Sequence, residues 1–403
     1  MKVLQINTTV NSGSHGRIAE DIGLSLIQMC HESYIASAYT GRPSRSQKIK
    51  IGSNLDRKFH GLRTRLCDRH GFGSKASTRQ LIDQIVKIDP DIIHLHNIHG
   101  YYLNIRYLFD YLRLANKPVV WTFHDCWPFT GHCSYFDAVN CYKWKTGCHN
   151  CPNIHGYPKS YFFDNSRMNY RDKKELFTSV RRMMLVSPSQ WMSSHLGNSF
   201  LHDNEIKVIY NGIDTDNFRP VKADSLKEKY KIKGKYILGV ANIWNERKGL
   251  DDFIKLSSMT KPELQIVLVG LNRNQERKLP SSIISISRTE NIDDLAALYS
   301  AAEVFVNPTY VDNFPTTNIE ALACGTPVIT YNTGGSPEAI DENTGIAVNR
   351  GDIGGLISAV KEVLENGKNH YTHACRERAV RLYDKNDRFA DYISLYRNLV
   401  KRT

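Results

Sequence analysis

Short runs of apolar, β-branched residues alternate with longer amphipathic stretches along nearly the whole chain. In the first half the runs Val3–Asn7, Tyr34–Thr40, Ile92–His96, Val119–His124 and Met184–Ser187 read as strands; in the second half Tyr236–Val240, Gln265–Gly270, Ile283–Ile286, Val304–Asn307 and Val328–Tyr331 do so. Strands that are apolar at successive positions, rather than at every second one, are covered on both faces, as in parallel sheets flanked by helices. Two such series predict an α/β fold of two doubly wound, Rossmann-like domains. The segment VIYNGIDTDNFRP, Val208–Pro220, carries turn residues and a closing proline and marks the break. The expected organisation is a first domain over 1–207, a second over 208–384, and a C-terminal helix over 385–403 that crosses back to the first. Phe389, Tyr392, Ile393, Tyr396 and Leu399 lie along one face of that helix. Open parallel sheets bind ligands beyond the carboxyl ends of their strands, so the loops there, and the cleft expected between two such domains, are where chemistry is sought.

Length and charge refine this picture. A chain of 403 residues suits two domains better than one. No apolar run is long enough to span a bilayer, and the opening MKVLQINTTV lacks the long apolar core and cleavage site of a secretion signal. A cytoplasmic protein is expected. Lysine and arginine number 53 against 41 aspartate and glutamate, a net charge of +12. That excess favours phosphorylated ligands, nucleic acid or an acidic membrane surface, and a plain solvated basic surface fits it as well. Part of it is local: between Arg42 and Lys75 ten basic residues are opposed only by Asp56 and Asp68. Phe59, Leu62 and Leu66 sit among them at helical spacing. A helix lying on anionic lipid at the inner face of the plasma membrane has this pattern, and so has a helix packed on its own domain.

The most informative stretch is EVFVNPTYVDNFPTTNIEALACGTPVITYNTGGSPEAI. A strand ends at Asn307–Pro308, a loop carries Asp312, and a helix runs to about Cys324, closed by Gly325 and Pro327. Thr316 or Thr317 is the expected N-cap. The free N–H groups and positive dipole end of such a helix suit a phosphate. Glu320 lies about one turn in, where a carboxylate also simply stabilises a helix start, and Asp312 alone reads equally as a turn former. After the strand Tyr236–Val240, ANIWNERKGL places Arg247 and Lys248 before Gly249; an exposed basic turn is the bland alternative. After the first strand, NSGSHGR holds Gly13 and Gly16, where backbone can approach a ligand or merely turn into a helix. His124 ends the strand VVWTFH, and His96 and His99 close its neighbour; strand-end histidines are often structural.

These motifs resemble the retaining glycosyltransferases of family 4. Asp312 and Glu320, with seven residues between them, resemble the E-x7-E motif; NPT, ALACGTPVI, TGGSPE, PDIIHLH and VIYNGID extend the likeness over essentially the whole chain. Asp312 departs from the usual glutamate and Asn313 from a frequent glycine. The resemblance implies a GT-B fold and a hexosyltransferase that carries a sugar from a UDP- or GDP-sugar to a saccharide or lipid-linked acceptor in surface polysaccharide biosynthesis. It implies that Asp312 binds hydroxyls of the donor sugar and Glu320 those of the ribose, with Thr316, Thr317, Asn313 and Phe314 completing the donor site. Lys248 matches the family's diphosphate-binding lysine. Asn242 stands where the family usually has arginine, with Arg247 expected to substitute. Gly13 and Gly16 border the diphosphate and acceptor, His124 positions the donor sugar and handles protons, His96 and His99 line the acceptor side, and Ser287–Asn291 borders the base. No DxD pair sits at a strand end, so no divalent metal is expected in catalysis, and the leaving diphosphate must be stabilised by cations and backbone N–H groups. No side chain reads as a covalent nucleophile, which favours front-face displacement with retention. A related GT-B epimerase or phosphorylase is an alternative reading. A basic zinc-knuckle protein binding nucleic acid is another, but it leaves the Asp312–Glu320 loop unexplained.

Five of nine cysteines fall within HDCWPFTGHCSYFDAVNCYKWKTGCHNCPNIHG, read as an insertion over 126–158. Cys133, Cys141, Cys148 and Cys151 have the spacing C-x7-C-x6-C-x2-C, and GCHNCP resembles a zinc knuckle. A structural zinc on these four is expected, with His132, His149 or His155 able to replace one of them; free thiols or disulfides are the alternatives.

Overall fold

The computed structural model describes residues 1–39, 41–259 and 264–402. Thr40, the last residue of the expected strand Tyr34–Thr40, and Thr403 lie outside them. The chain divides into two compact units, Met1–Ile209 with Arg388–Thr403, and Tyr210–Asp387.

The first unit is built on seven parallel strands: β1 (Lys2–Thr9), β2 (Glu32–Tyr39), β3 (Gln47–Lys50), β4 (Ile92–Leu95), β5 (Val119–Thr122), β6 (Met183–Ser187) and β7 (Ile206–Val208), in the order β3-β2-β1-β4-β5-β6-β7. The second unit has six: β8 (Lys235–Val240), β9 (Leu264–Val269), β10 (Ile283–Ile286), β11 (Val304–Asn307), β12 (Val328–Tyr331) and β13 (Gly345–Val348), in the order β10-β9-β8-β11-β12-β13. Both are doubly wound Rossmann-like sheets. The strand order reverses between β1 and β4 in one and between β8 and β11 in the other. At such a reversal the connections leave for opposite faces of the sheet, so the loops beyond the strand ends open a crevice.

Central strands are buried end to end, as their unbroken apolar runs require: every residue of Ile92–Leu95, Val119–Thr122, Val304–Asn307 and Val328–Tyr331 is buried. The sequence reading missed β3, β7 and β13. They are edge strands of four, three and four residues. Gln47–Lys50 is almost wholly exposed, so no core imposed an apolar signature on it.

The last helix, Lys385–Lys401, packs its apolar face on the first unit. Phe389, Tyr392, Ile393 and Tyr396 share a core cluster with Val3, Ile22, Ile92, Val120 and Val186. Tyr396 OH pairs with His94 Nδ1 at 2.7 Å and Tyr392 OH with Thr122 Oγ1 at 3.1 Å. Each fully buried large side chain of this kind contributes about 1.5–3 kcal/mol. The basic segment forms the helix Asn54–Cys67, capped by Ser53, whose side chain accepts from Asp56 N. It buries His60, Gly61 and Thr64, while Leu55, Phe59, Leu62 and Leu66 stay exposed at 63, 63, 50 and 38%. The apolar stripe therefore faces away from its own core. Among the described residues no helix is long and apolar enough to cross a membrane.

Candidate active site

At the reversal of the second sheet two loops are fastened together. The strand β8 leads into a 3-10 turn, Glu246–Lys248, whose N-cap Asn245 accepts from Lys248 N. Gly249 follows in the left-handed region, φ 71°, and a Cβ there would stand 2.3 Å from the Pro308 carbonyl oxygen. Only glycine lets the two loops approach this closely. Arg247 clamps them: its Nη1 donates to Val311 O at 2.8 Å, and its own carbonyl accepts from Tyr310 N at 2.8 Å. From the other side Gly334, φ 57°, lies where a Cβ would meet the Asp312 carbonyl at 1.7 Å, and Thr333 Oγ1 donates to Thr309 O at 2.7 Å. The loop Pro308–Pro315 is thus held rigidly by backbone contacts, and Asp312 is presented to Lys248 Nζ as an ion pair. Both side chains are largely buried, at 17 and 18% exposure, so the attraction is less screened than at an open surface. Asn242 is exposed.

The helix Thr316–Ala323 begins after this loop. The structure corrects its cap. The N-cap is Pro315, in extended backbone, and no side chain satisfies the first turn; Thr316 and Thr317 are its first two helical residues. Proline sets the φ that starts the helix but brings no acceptor, so the leading N–H groups keep their affinity for an anion. The helix start is fixed from below by a buried network: Asn307 Nδ2 donates to Asn318 Oδ1 at 2.7 Å, Asn318 Nδ2 to Ser336 O at 3.1 Å, and Thr330 Oγ1 to Asn307 O at 2.9 Å. Glu320 is 5% exposed and accepts from Tyr299 OH at 3.0 Å on Oε2. Tyr299 was not singled out from the sequence. Its signal is that a buried tyrosine hydroxyl must find a partner. Phe314 and Asn313 are buried in the loop, Phe314 against Tyr210 and Tyr383.

In the first unit the reversal between β1 and β4 gathers histidines. His96 Nδ1 and His124 Nε2 are 3.1 Å apart, with rings stacked at 20°. The proton positions follow from the neighbours. Gln5 Nε2 donates to Ala19 O at 2.8 Å, so Gln5 Oε1 accepts from His96 Nε2 at 2.9 Å. A neutral His96 then has Nδ1 as acceptor, His124 donates through Nε2, and Nδ1 of His124 is left with the lone pair. Burial holds both rings well below the usual histidine range; His96 is lowered further by His94 and His15, and His124 by His96, His15 and His99. His15, in the first turn of the helix Gly13–Gln28, lies with its ring 5.8 Å from that of His124 and is pushed down to about 4, first by burial. His15 and Gln5 were missed by the sequence reading. His99 pairs with Asp125 Oδ2 at 2.8 Å and with Tyr157 OH at 3.2 Å. Gly13 has φ 68° and open space around its missing Cβ, whereas a Cβ on Gly16 would meet Thr9 Oγ1 at 2.7 Å. Gly16 therefore serves the packing of helix on strand end.

Cys133, Cys141, Cys148 and Cys151 line one small cavity, and all are free thiols. Among the described residues no three His, Cys, Asp or Glu side chains are already set to hold a metal ion.

Against known proteins, a family model described as Glycosyltransferase Family 4 matches residues 15–217, and one described as Glycosyl transferases group 1 matches 234–366. The chain is 26% identical to the putative colanic acid biosynthesis glycosyl transferase WcaC of Escherichia coli K12, over 99% of this chain and 100% of that protein. Among solved structures it is similar to sucrose-phosphate synthase from Thermosynechococcus elongatus, with TM-score 0.75 and 18% identity over the whole of both chains. It is also similar to Alr3699/HepE of Anabaena in complex with UDP-glucose, with TM-score 0.69 and 15% identity over 98% of this chain and 99% of that one.

Proposed function

The chain belongs to glycosyltransferase family 4 and is a transferase of the GT-B fold; from that premise we propose that it moves a sugar, with retention, from a nucleotide-sugar donor to a saccharide or lipid-linked saccharide in surface polysaccharide biosynthesis. The observation that carries this reading is the Lys248–Asp312 pair, held at the strand-order reversal beside an N-terminus that no side chain caps. The likeness to WcaC supports the polysaccharide setting, and the UDP-glucose in the Anabaena neighbour makes uridine nucleotides the first donors to try.

In this proposal the diphosphate lies against the N–H groups of Thr316 and Thr317, with Lys248 supplying the positive charge. Glu320, steadied by Tyr299, takes the ribose hydroxyls on its second oxygen. Asp312 accepts from hydroxyls of the sugar. Arg247, spent on Val311 O, fixes the loop that carries Asp312. His124 contributes an acceptor nitrogen for a sugar or acceptor hydroxyl. The C1–O bond to phosphate breaks as the acceptor oxygen attacks from the same face, and the departing phosphate oxygen takes the acceptor proton. Leaving-group charge falls on groups already in position, which is where electrostatic catalysis is strongest.

A calorimetric screen of UDP, GDP and ADP and their sugars, followed by transfer assays, tests the donor assignment. In that screen Glu320→Ala should weaken binding of the bare nucleotide by about tenfold or more, the worth of one charge-assisted hydrogen bond pair. Asp312→Ala should bind bare nucleotide at least as tightly as wild type, because Lys248 is released from its partner, and should lose discrimination among sugars. Wild-type binding and selectivity in both variants would sink the assignment.

The exposed stripe of the helix Asn54–Cys67 supports peripheral attachment to anionic lipid. Tyr161 N donates to Arg65 O at 2.8 Å, and the next two residues, Phe162 and Phe163, are 75 and 61% exposed, adding aromatic surface beside the helix's C-terminal turn. The chain should co-sediment with vesicles of phosphatidylcholine and phosphatidylglycerol, less so as salt rises. Replacing Phe59 and Leu62 together by serine should weaken this about tenfold or more. Unchanged sedimentation would return the stripe to ordinary surface.

A further inference from the structure

The cavity among the cysteines holds more than thiols. Residues 123–165 contain no helix or strand beyond three 3-10 turns, Trp127–Phe129, Asp137–Val139 and Lys143–Lys145. So long an irregular stretch in a compact unit requires something to fasten it. Phe129, Phe136 and Trp144 supply part of that, packing at ring separations of 4.9 and 5.0 Å. Beside them is a space of about 10 Å³, room for a single water-sized occupant and for no organic ligand. His132, Cys133, Cys141, Cys148, Cys151, Trp144 and Ser166 line it.

Three of the lining polar atoms are buried without a hydrogen-bond partner: His132 Nε2, Trp144 Nε1 and Ser166 Oγ. Buried polar atoms are seldom left so, and three on one cavity require a common explanation. His132 is wholly buried, and its Nδ1 is 2.5 Å from Asp68 Oδ1, also wholly buried. Asp68 accepts on its other oxygen from Asn165 N at 2.8 Å, so it is a fixed acceptor. That bond puts the proton of His132 on Nδ1 and leaves Nε2 as a bare lone pair on the cavity. A carboxylate behind a histidine whose far nitrogen is free is the arrangement that orients a metal-binding imidazole. The thiols are gathered around it. Gly131 N donates to Cys148 Sγ at 3.1 Å, and Cys133 and Cys151 share a hydrogen bond. Trp144 N–H and Ser166 O–H are donors that an acceptor within the cavity would satisfy.

We propose that this cavity is a structural site for a thiophilic divalent cation, zinc in the first instance, bound by His132 Nε2 with the sulfurs of Cys133, Cys148 and Cys151. Asp68 positions the imidazole, and Trp144 and Ser166 donate to the bound thiolates. The bond between Cys133 and Cys151 belongs to the protonated, unloaded state. On loading, each ligating thiol gives its proton to solvent and turns its sulfur to the metal, with no change of oxidation state. Cys141 lines the same cavity but is left outside the ligand set, because the oriented histidine fills the fourth place of a closed tetrahedral site.

The test uses the full chain. Metal analysis after purification without chelators should find about one zinc per chain. After chelation, Co²⁺ should restore one equivalent with an intense thiolate charge-transfer band and the visible bands of a tetrahedral S₃N centre. Cys148→Ser and His132→Gln should abolish the stoichiometric metal. Cys141→Ser should retain it, and Asp68→Asn should weaken it by about 10–100-fold. Folding of the variants is followed by circular dichroism. Because metal content, cobalt spectrum and protection of thiols from a colorimetric reagent are all read on the wild-type chain, a variant that fails to fold does not rescue the idea. A metal-free wild-type chain that takes up no Co²⁺, a Cys133–Cys151 disulfide in the reduced preparation, or an S₄ spectrum lost in Cys141→Ser but kept in His132→Gln would each overturn the assignment.

Discussion

Lys248→Ala is expected to lower kcat by about 10²–10³-fold with a much smaller change in KM for the acceptor, the effect of removing one fixed charge from where charge develops in the transition state. In the resting protein the ammonium is held by Asp312, so it is already in position and partly desolvated before donor arrives. Its placement depends on the 3-10 turn and on Gly249 against Pro308, not on its own contacts, so the alanine variant should fold normally. Lys248→Arg should recover part of the rate, because the charge survives while its geometry changes. Steady-state kinetics with a fixed donor decide the matter. A kcat within twofold of wild type in Lys248→Ala would show that the diphosphate is neutralised elsewhere.

The second large effect concerns acid. Burial pushes His15 and His60 down to about 4, and holds His70, His94, His96 and His124 well below the usual range. The native first unit therefore keeps these rings neutral, while an unfolded chain protonates them near pH 6.5. The sign follows. A lowered native pKa gives stability that is full above the unfolded value and is lost as pH falls through the window from about 6.5 to about 4. His15 and His60 alone bring a slope of roughly 2.7 kcal/mol per pH unit inside that window. The tryptophans allow the units to be followed separately: Trp121, Trp127, Trp144 and Trp191 are in the first and Trp244 in the second. Urea titrations of W244F, read by fluorescence between pH 7 and 4.5, should show the midpoint falling steeply. A midpoint independent of pH there would mean the histidines are hydrated in solution.

Much of this was legible in the residues themselves. Ten strands were legible because burial forces apolar runs, most strictly in central strands such as Val304–Asn307 and Val328–Tyr331, which match to the residue; the edge strand Ile283–Ile286 matches too, with Ile283 and Ile286 buried. The edge strands β3, β7 and β13 left no such mark because each is short and its apolar residues are interrupted or flanked by lysine, glutamine or glycine. Taken alone, Asp312, Glu320 and Lys248 each read equally as ordinary turn or helix-start chemistry; they could be named from the sequence because they match the family motif that the chain resembles. The Lys248–Asp312 pair itself could not, since it depends on Gly249 and Gly334 closing from opposite sides. The cap was misplaced because Pro315 was read as loop, and the threonines after it offered the usual capping hydroxyl. His132 was named only as a substitute ligand. What distinguishes it, the carboxylate of Asp68, lies 64 positions away in the chain.

The packing of Lys385–Lys401 on the first sheet also sets an order of events during synthesis. His94 and Thr122 are translated long before their partners Tyr396 and Tyr392, which lie 302 and 270 positions further on. At a translation rate of about 5–20 residues per second, the N-terminal unit waits roughly 10–40 s on the ribosome with an apolar face uncovered. The helix can dock only after the intervening unit has been made and has had time to fold as a self-contained body. A nascent chain stalled before Lys385 should accordingly be a chaperone client, and docking of the helix Lys385–Lys401 is the step at which it ceases to be one.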